Sequence, residues 1–424
     1  MIQPADTKNL KKADFVFLVA GIVVVAAAIV LVFLFKDGNI LPPKRTTVVF
    51  AQWWKSGMEK GSLDDIIADF EKDYPLIRVR LHNADWEDIR DGLLDAESES
   101  PDIVAVDAGR LTEVVALGLL DVLPLDILPQ GSLPSTANGE EGVTTADTDR
   151  DRYYLQLVSF LHPLFYNIDV LSAAGFLRPP RTREEFLDYA QKTTNAAKGV
   201  YGTAFSRNTW TDILPWIWAG GGGETIEKIN WTSRSVMDTI SFLSVLNKEK
   251  LVYPYPLSKR EDELLEAFLA GRIAMFISSQ AAAAEIQAKN PALPFGVTTI
   301  PQATQPVGRN VFAVTEWALA IPAKSAHKEG ALSLLRYLAG RKNDFAAAAH
   351  GITGYHHEYS AADAEDLTDQ KLRALYEASD TAAVSILGAD AETILNAIRI
   401  NLLALFNEEK TEAETAAAIQ IALY

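Results

Sequence analysis

Apolar residues recur after position 45 in an order typical of alternating strands and helices. A run at 47–51, an alternation at 77–81 and a second run at 102–106 each predict a strand. Apolar positions at helical spacing within 63–74 and 86–94 predict a helix after each of the first two strands. Strands separated by helices in this way are typical of a parallel sheet with helices on both faces, so the pattern predicts an α/β fold.

The most apolar segment lies outside this pattern, at residues 15–35, which contain no charged side chain. A helix rising about 1.5 Å per residue over this length would just cross a hydrocarbon core of roughly 30 Å. A cleaved signal peptide has a shorter apolar region, of about 7 to 15 residues, and residues 36–39 offer no small-x-small cleavage site. We therefore predict a retained transmembrane helix at 15–35, preceded by a short segment, 1–14, and followed by a proline-containing linker, 36–45.

The charges that flank this segment leave its orientation open. Three lysines precede it and three basic residues follow it, namely Lys8, Lys11 and Lys12, then Lys36, Lys44 and Arg45. Since the positive-inside rule compares these two groups, the comparison is tied.

Composition narrows the classes of partner. A formal charge of -17 disfavours nucleic acid, because binding a phosphate backbone needs clustered Lys and Arg. The chain has no cysteine, which excludes disulfides, thiolate zinc sites, thiol nucleophiles and a lipidated cysteine anchor. Any membrane tether must therefore be protein.

Several stretches resemble the extracellular solute-binding family that includes the maltose-binding protein, the ligand-capturing component of ABC importers. They occur in the order of the family and cover roughly 46–424, so the membrane segment lies outside the resemblance. The matching stretches are 101–104 with Arg110, 118–120, 164–169, 173–175, 267–275, 295–297 with Pro301, and 317–322.

The resemblance implies a bilobal type II periplasmic-binding-protein fold, with ligand held in a cleft between two α/β lobes and handed to ABC permease subunits. It also implies an extracytoplasmic domain that is a binding protein and not an enzyme, with no cofactor. One lobe would contain residues 46–152 and 302–350, and the other 153–301 and 351–424. The crossings between the lobes would lie near 153–161, 296–301 and 351–355.

A sugar site needs flat aromatic surfaces together with groups that make directional hydrogen bonds. Trp53 and Trp54 follow the first strand, and Asp107 follows the third. The carboxyl ends of parallel strands open onto a ligand cleft, so these positions are candidates for ligand binding. Arg110 matches a position where the family places a sugar-contacting arginine. The alternative roles are core packing for the tryptophans and a surface ion pair for the two charged residues.

Three further candidates lie later in the chain. Trp210 and Trp216 precede four glycines, 220–223, in a stretch that resembles the family segment carrying a sugar-stacking aromatic. Glu316 interrupts an apolar run, so its carboxylate either approaches the cleft or is neutralised by a partner. The glycines lack the spacing of a phosphate-binding loop, which favours a helix terminus and turn.

The chain departs from the family after residues 274–279. Sugar-binding relatives often carry a tryptophan there, whereas this chain has Gln280 followed by four alanines. The departure argues against a malto-oligosaccharide and leaves a monosaccharide, a polyol phosphate or another polar solute as ligand.

Other functions remain as alternatives. His and Tyr side chains within 350–359 could bind ferric iron, although a polar surface loop is the simpler interpretation. A ligand sensor acting through its membrane helix would need a separate output protein. No nucleophile elbow, cysteine nucleophile or P-loop occurs. A glycosidase with carboxylates distant in sequence is compatible with the chain, and product analysis would detect it.

Overall fold

The computed structural model describes residues 45–52, 62–84, 86–95, 97, 100–107, 110–128, 152–222, 226, 229–303, 311–349, 351 and 391–422. Within this part the strands form two separate sheets, of five and four strands. We call each sheet with its helices a lobe. The predicted transmembrane helix lies outside the described residues. Among the helices that the structure does describe, none is both long and apolar enough to cross a bilayer.

The sheet of lobe 1 has the order β2-β1-β3-β9-β4. Its strands are β1 (Thr46–Gln52), β2 (Ile77–Asn83), β3 (Ile103–Asp107), β4 (Leu155–His162) and β9 (Ala313–Ala320). Strand β1 pairs in parallel with both β2 and β3, which confirms the parallel arrangement predicted for the first three strands. Strand β9 runs antiparallel to β3 and β4. The sheet is therefore mixed, because β9 runs opposite to both of its neighbours.

The helices of the first segment follow the predicted alternation. They are α1 (Ser62–Asp73) after β1, α2 (Trp86–Leu94) after β2 and α3 (Leu111–Ala116) after β3. After β9 come α11 (Lys328–Ala339) and α12 (Lys342–Ala349). Buried residues of α1, α11 and α12 pack on the sheet to form one core, with Phe50, Phe70, Trp317 and Phe345 among its largest side chains. Buried residues of α2 and α3 belong to a second core, together with residues of β3 and β9.

The sheet of lobe 2 has the order β6-β7-β5-β8. Its strands are β5 (Leu164–Asn167), β6 (Tyr201–Ala204), β7 (Ile273–Ile277) and β8 (Phe295–Thr298). Strands β6 and β7 are parallel, and β5 is antiparallel to both β7 and β8. Its helices are α4 (Ile168–Ala173), α5 (Arg183–Thr193), α6 (Thr209–Asp212), α7 (Leu214–Ala219), α8 (Arg234–Lys248), α9 (Glu261–Leu269), α10 (Ala282–Lys289), α13 (Ala391–Phe406) and α14 (Glu412–Ala422).

Among the described residues, the chain passes directly from one sheet to the other after β4. Strand β4 in lobe 1 leads through Pro163 into β5 in lobe 2. The chain returns to the sheet of lobe 1 between β8 and β9, a stretch that includes residues 304–310 outside the described part. Gly351 lies against β4, where an added Cβ would overlap the Val158 side chain. Short crossings of this kind let two rigid lobes move about a few residues.

Asp102 fixes the start of β3 to two other segments of lobe 1. Asp102 is 2% exposed. Its carboxylate accepts hydrogen bonds from Val49 N at 2.9 Å, Ser325 Oγ at 2.8 Å and His327 N at 3.0 Å. Burial by itself would raise the pKa of Asp102, but these donors hold it below its ordinary value. The ionised carboxylate is therefore part of the folded structure.

Replacing Asp102 by alanine is expected to lower the free energy of unfolding by about 3 kcal/mol, because buried donors lose a charged acceptor. Denaturant titration followed by circular dichroism measures this loss. In the wild type, the contribution is present above the ordinary Asp pKa and is lost as pH falls through the lowered value. The exposed Asp238→Ala is the control, and a loss as small as the control's would contradict the assignment.

Candidate functional site

A cavity of about 960 Å³ lies between the two lobes. This volume falls at the upper end of the range for small-molecule sites, roughly 300 to 1,000 Å³. Lobe 1 contributes residues of α2 and the end of β3, and lobe 2 contributes the segment after β6, the start of α9, the segment after β7 and α13. The main polar lining residues are Asp88, Arg90, Asp91, Asp107, Arg110, His162, Arg207, Asn208, Glu261, Ser278, Ser279, Thr315 and Arg399.

Asp107 and Arg110 both line the cavity from lobe 1. Asp107 is the last residue of β3, and Arg110 immediately precedes α3. Their place follows from the parallel pairing of β1 and β3, whose carboxyl ends lie at one edge of the sheet. The structure thus brings together the two charged candidates of this segment at the wall of one cavity.

Arg110 also contacts lobe 2, through one of the predicted tryptophans. Its guanidinium carbon lies 5.9 Å from the ring centre of Trp210 on α6. Trp210 is 1% exposed and lies behind the surface of the cavity. A cation over an aromatic face contributes about 0.5 to 2 kcal/mol depending on its desolvation. The pair joins the lobes beside the cavity.

Trp216 has a different position from the other candidates. It is 1% exposed in the core of lobe 2, where its ring centre lies 4.8 Å from that of Phe186 and 5.2 Å from that of Phe242. Its carbonyl accepts a hydrogen bond from the buried Arg183. Trp216 does not line the cavity, and its surroundings are those of a packing residue. Trp53 and Trp54 lie outside the described residues.

Glu316 lies on β9 opposite Ser159 of β4, and its Oε1 accepts a hydrogen bond from Gln156 Nε2 at 3.2 Å. It does not line the cavity, whereas the preceding residue, Thr315, does. Successive residues of a strand point to opposite faces of the sheet. The apolar run that contains Glu316 therefore belongs to a strand at the cavity, β9. On this strand Thr315, the residue before Glu316, is the one that faces the cavity.

His162 lines the cavity at the crossing from β4 to β5 and was not singled out by the sequence. It is 4% exposed, and its Nε2 lies 2.9 Å from Thr315 Oγ1. Burial lowers its pKa, although the nearby Glu261 carboxylate acts in the opposite direction. The imidazole is therefore a neutral polar group in the cavity wall at neutral pH.

Glu261 begins α9 and holds the segment that follows β7. Its Oε1 accepts hydrogen bonds from Ser278 Oγ at 2.6 Å and Ser279 N at 2.5 Å. All three residues line the cavity. The two serines follow the carboxyl end of β7, and Asp107 lies at the carboxyl end of β3, so the same positional rule could have identified them.

Gln280, which follows β7, has a structural role. It is 1% exposed, accepts a hydrogen bond from Leu161 N at 3.1 Å through its side chain, and donates its own N–H to Leu161 O at 2.7 Å. The side chain thus ties the segment after β7 to β4. In the described lining the aromatic residues are Trp86 and Phe160.

The four glycines after α7 pack closely in the described part. Gly220 ends α7, and an added Cβ there would lie 2.7 Å from a guanidinium nitrogen of Arg183. Gly221 has a positive φ of 79°. The predicted helix terminus and turn is confirmed for these residues, and Gly223 lies outside the described part.

The iron alternative rested on residues that the structure does not describe, apart from Gly351. Across the described ranges, no cluster of three or more His, Asp or Glu side chains has an arrangement that could hold a metal ion. Nothing further follows for 350 and 352–359.

Two α/β lobes joined by short crossings, with a polar cavity between them, define a class of ligand-binding proteins that hold a small solute in an interlobe cleft. A profile of the family described as bacterial extracellular solute-binding protein matches residues 55–344. The chain belongs to this family.

Relatives in sequence are distant. A protein of Brucella abortus (strain 2308) named as a binding protein is 22% identical over 289 residues, which cover 65% of this chain and 67% of that protein. A protein of Brucella suis biovar 1 (strain 1330) with the same kind of name has the same identity and coverage. Neither name specifies a ligand.

Solved structures resemble the chain over most of its length. An ABC transporter solute-binding protein from Thermotoga lettingae TMO, bound with α-D-tagatose, has a TM-score of 0.73 at 20% identity and covers 89% of this chain and 100% of its own. The GacH receptor of Streptomyces glaucescens GLA.O has a TM-score of 0.72 at 21% identity, with coverage of 89% and 97%. The maltose/maltodextrin-binding domain MalE from Bdellovibrio bacteriovorus, bound to maltotriose, has a TM-score of 0.72 at 17% identity, with coverage of 89% and 98%. These likenesses establish the fold.

Proposed function

We propose that the protein captures an uncharged or weakly charged carbohydrate in the cavity between its lobes and delivers it to an ABC permease. The observation that carries the proposal is a large polar cavity lined from both lobes. Carboxylates, guanidinium groups, hydroxyls and an amide converge there, and such groups make the directional hydrogen bonds that a ring of sugar hydroxyls requires. The sugars bound by proteins of the same fold point to the same class of ligand.

Ligand capture follows from the contribution of both lobes. A solute that contacts both walls binds the closed arrangement more tightly than an open one, and therefore shifts the population toward closure by its differential affinity. The closed form is then the state that a permease would recognise. No covalent step is needed, so the protein acts as a binding protein and not as an enzyme.

The proposal places the protein at the membrane. Residues 15–35 are apolar throughout and would form a single-pass anchor. The linker 36–45 would then hold the binding domain on the extracytoplasmic side, where the solute-binding family operates. Because the chain lacks cysteine, lipidation cannot supply this tether.

The test uses the full chain in detergent, with thermal unfolding followed against a panel of neutral sugars, sugar phosphates, polyamines, peptides and ferric iron. A native-state ligand at about 100 times its Kd stabilises the protein by about 2.7 kcal/mol, so the unfolding midpoint rises in a saturable way. We expect this rise with a neutral sugar. A rise of the unfolding midpoint with iron alone would favour ferric-iron binding by residues 350–359. An unchanged midpoint with every compound of the panel would favour a sensor or scaffold.

A further inference from the structure

Asp212 is a carboxylate buried directly behind the cavity wall. It is the last residue of α6, is 2% exposed and does not itself line the cavity. An ionisable group in such a place is costly to bury unless hydrogen bonds compensate for the lost hydration. Its partners therefore indicate what the carboxylate holds.

Those partners belong to the turn that precedes α6 and to α6 itself. Asp212 Oδ2 accepts a hydrogen bond from Ser206 N, and Oδ1 accepts one from Thr211 Oγ1 at 3.3 Å. Ser206 Oγ in turn accepts a hydrogen bond from Asn208 N at 3.1 Å. The backbone closes the same ring, because Asp212 N donates to Asn208 O at 3.1 Å. One buried carboxylate thus organises the turn from its inner side.

The outer side of this turn is the wall of the cavity. Arg207, Asn208 and Thr209 are consecutive, and all three line it. Arg207 N donates to Lys259 O at 2.8 Å, and Thr209 Oγ1 donates to Leu395 O at 3.4 Å. The turn is therefore attached to the segment before α9 and to α13, while Asp212 sets its curvature from within.

We propose that Asp212 is a positioning residue whose buried carboxyl group fixes residues 206–209 in the cavity wall, so that ligand affinity depends on its protonation state. The affinity part rests on the proposed function, whereas the ordering of the turn does not. Asp212 reaches the ligand only through the residues that it positions.

The surroundings of Asp212 place its titration in the physiological range. Burial is the main cause that raises its pKa, to about 7, the Ser206 N–H lowers it, and the negative charge of Glu261 raises it further. The other charged groups on its own turn or on elements packed against α6 are Arg207, Arg110 over Trp210, Arg399 on α13 and Glu316 on β9.

The expected direction follows from the burial of Asp212. Its pKa is raised in the folded turn, so a local opening that lets water reach the carboxyl group becomes easier once the group is ionised, and the turn becomes less well ordered as pH rises through about 7. Global stability changes in the same direction. Since the folded pKa is raised above the unfolded value, the contribution of Asp212 is fully present below the unfolded value and is lost as pH rises toward about 7.

Hydrogen–deuterium exchange of the full chain without ligand tests the positioning role. After correction for intrinsic exchange, the amides of 206–209 in the wild type are expected to exchange about threefold to tenfold faster at about pH 8 than at about pH 6. Asp212→Asn keeps the shape of the side chain without a titrating proton and should remove this difference. Asp238→Asn, on an exposed site of α8, is the matched control and should keep it.

Titration of the same proteins with maltotriose and D-tagatose as probes tests the affinity part. The wild type is expected to bind the accepted sugar about threefold to tenfold more tightly at the lower pH, and Asp212→Asn to bind equally at both. Exchange profiles that are the same in wild type and Asp212→Asn would overturn the positioning role, whether or not any sugar binds. If the exchange difference is present and no sugar of the larger panel binds, the carbohydrate proposal fails while the positioning role stands.

Discussion

Replacing Arg110 by alanine is expected to weaken ligand binding about tenfold to hundredfold. Arg110 lines the cavity from lobe 1 and lies 5.9 Å from the ring centre of Trp210 in lobe 2. Hydrogen bonds to charged groups contribute about 1.5 to 3 kcal/mol, which corresponds to this loss of affinity. Isothermal titration calorimetry with the sugar that raises the unfolding midpoint measures the effect.

The control for this substitution is Arg234→Ala, which removes the same side chain from an exposed position on α8. Its affinity is expected to equal that of the wild type. Arg110→Ala should also remain folded, because its contact with Trp210 is worth only about 0.5 to 2 kcal/mol. If a folded Arg110→Ala protein bound the ligand as tightly as the wild type, Arg110 would not contribute to ligand binding.

Replacing Trp216 by alanine is expected to lower the free energy of unfolding by about 3 to 5 kcal/mol. The side chain is 1% exposed between Phe186 and Phe242, so truncation leaves a cavity that its aromatic neighbours cannot fill. Denaturant titration followed by tryptophan fluorescence and circular dichroism measures the loss.

Leu177→Ala is the comparison for Trp216→Ala, because Leu177 is 94% exposed and its removal is expected to change stability by less than about 0.5 kcal/mol. A Trp216→Ala protein of unchanged stability that has lost ligand binding would show that Trp216 contacts the ligand. The two outcomes therefore separate packing from binding at a residue for which the sequence allowed both.

The parts of the fold that depend on local pattern could be predicted. Apolar runs and alternation located β1, β2 and β3 and their parallel pairing. Asp107 was located because the carboxyl end of a parallel strand has a defined position relative to the cleft, and Arg110 through its resemblance to a family position. The inferences about the strands and Asp107 need only the order of elements along the chain.

The parts of the fold and of the site that depend on contacts between distant residues could not be predicted from the sequence. Glu261 reaches the cavity because Ser278 and Ser279, distant in sequence, fold against it. The roles of Trp210 and Trp216 depend on which faces of α6 and α7 pack into the core. The spacing of the two residues in the sequence does not determine that. Thr315 and Glu316 differ by one residue, which in a strand decides the face of the sheet.

The central claim is that a sugar binds between the lobes and closes them. Because the chain has no native cysteine, spin labels on Lys72→Cys in α1 and Lys192→Cys in α5 would report only the distance between lobes. Both positions are exposed and lie outside the cavity. Electron–electron resonance of the full chain should show that the accepted sugar shortens and narrows this distance distribution. An unchanged distribution at saturating sugar would contradict the account.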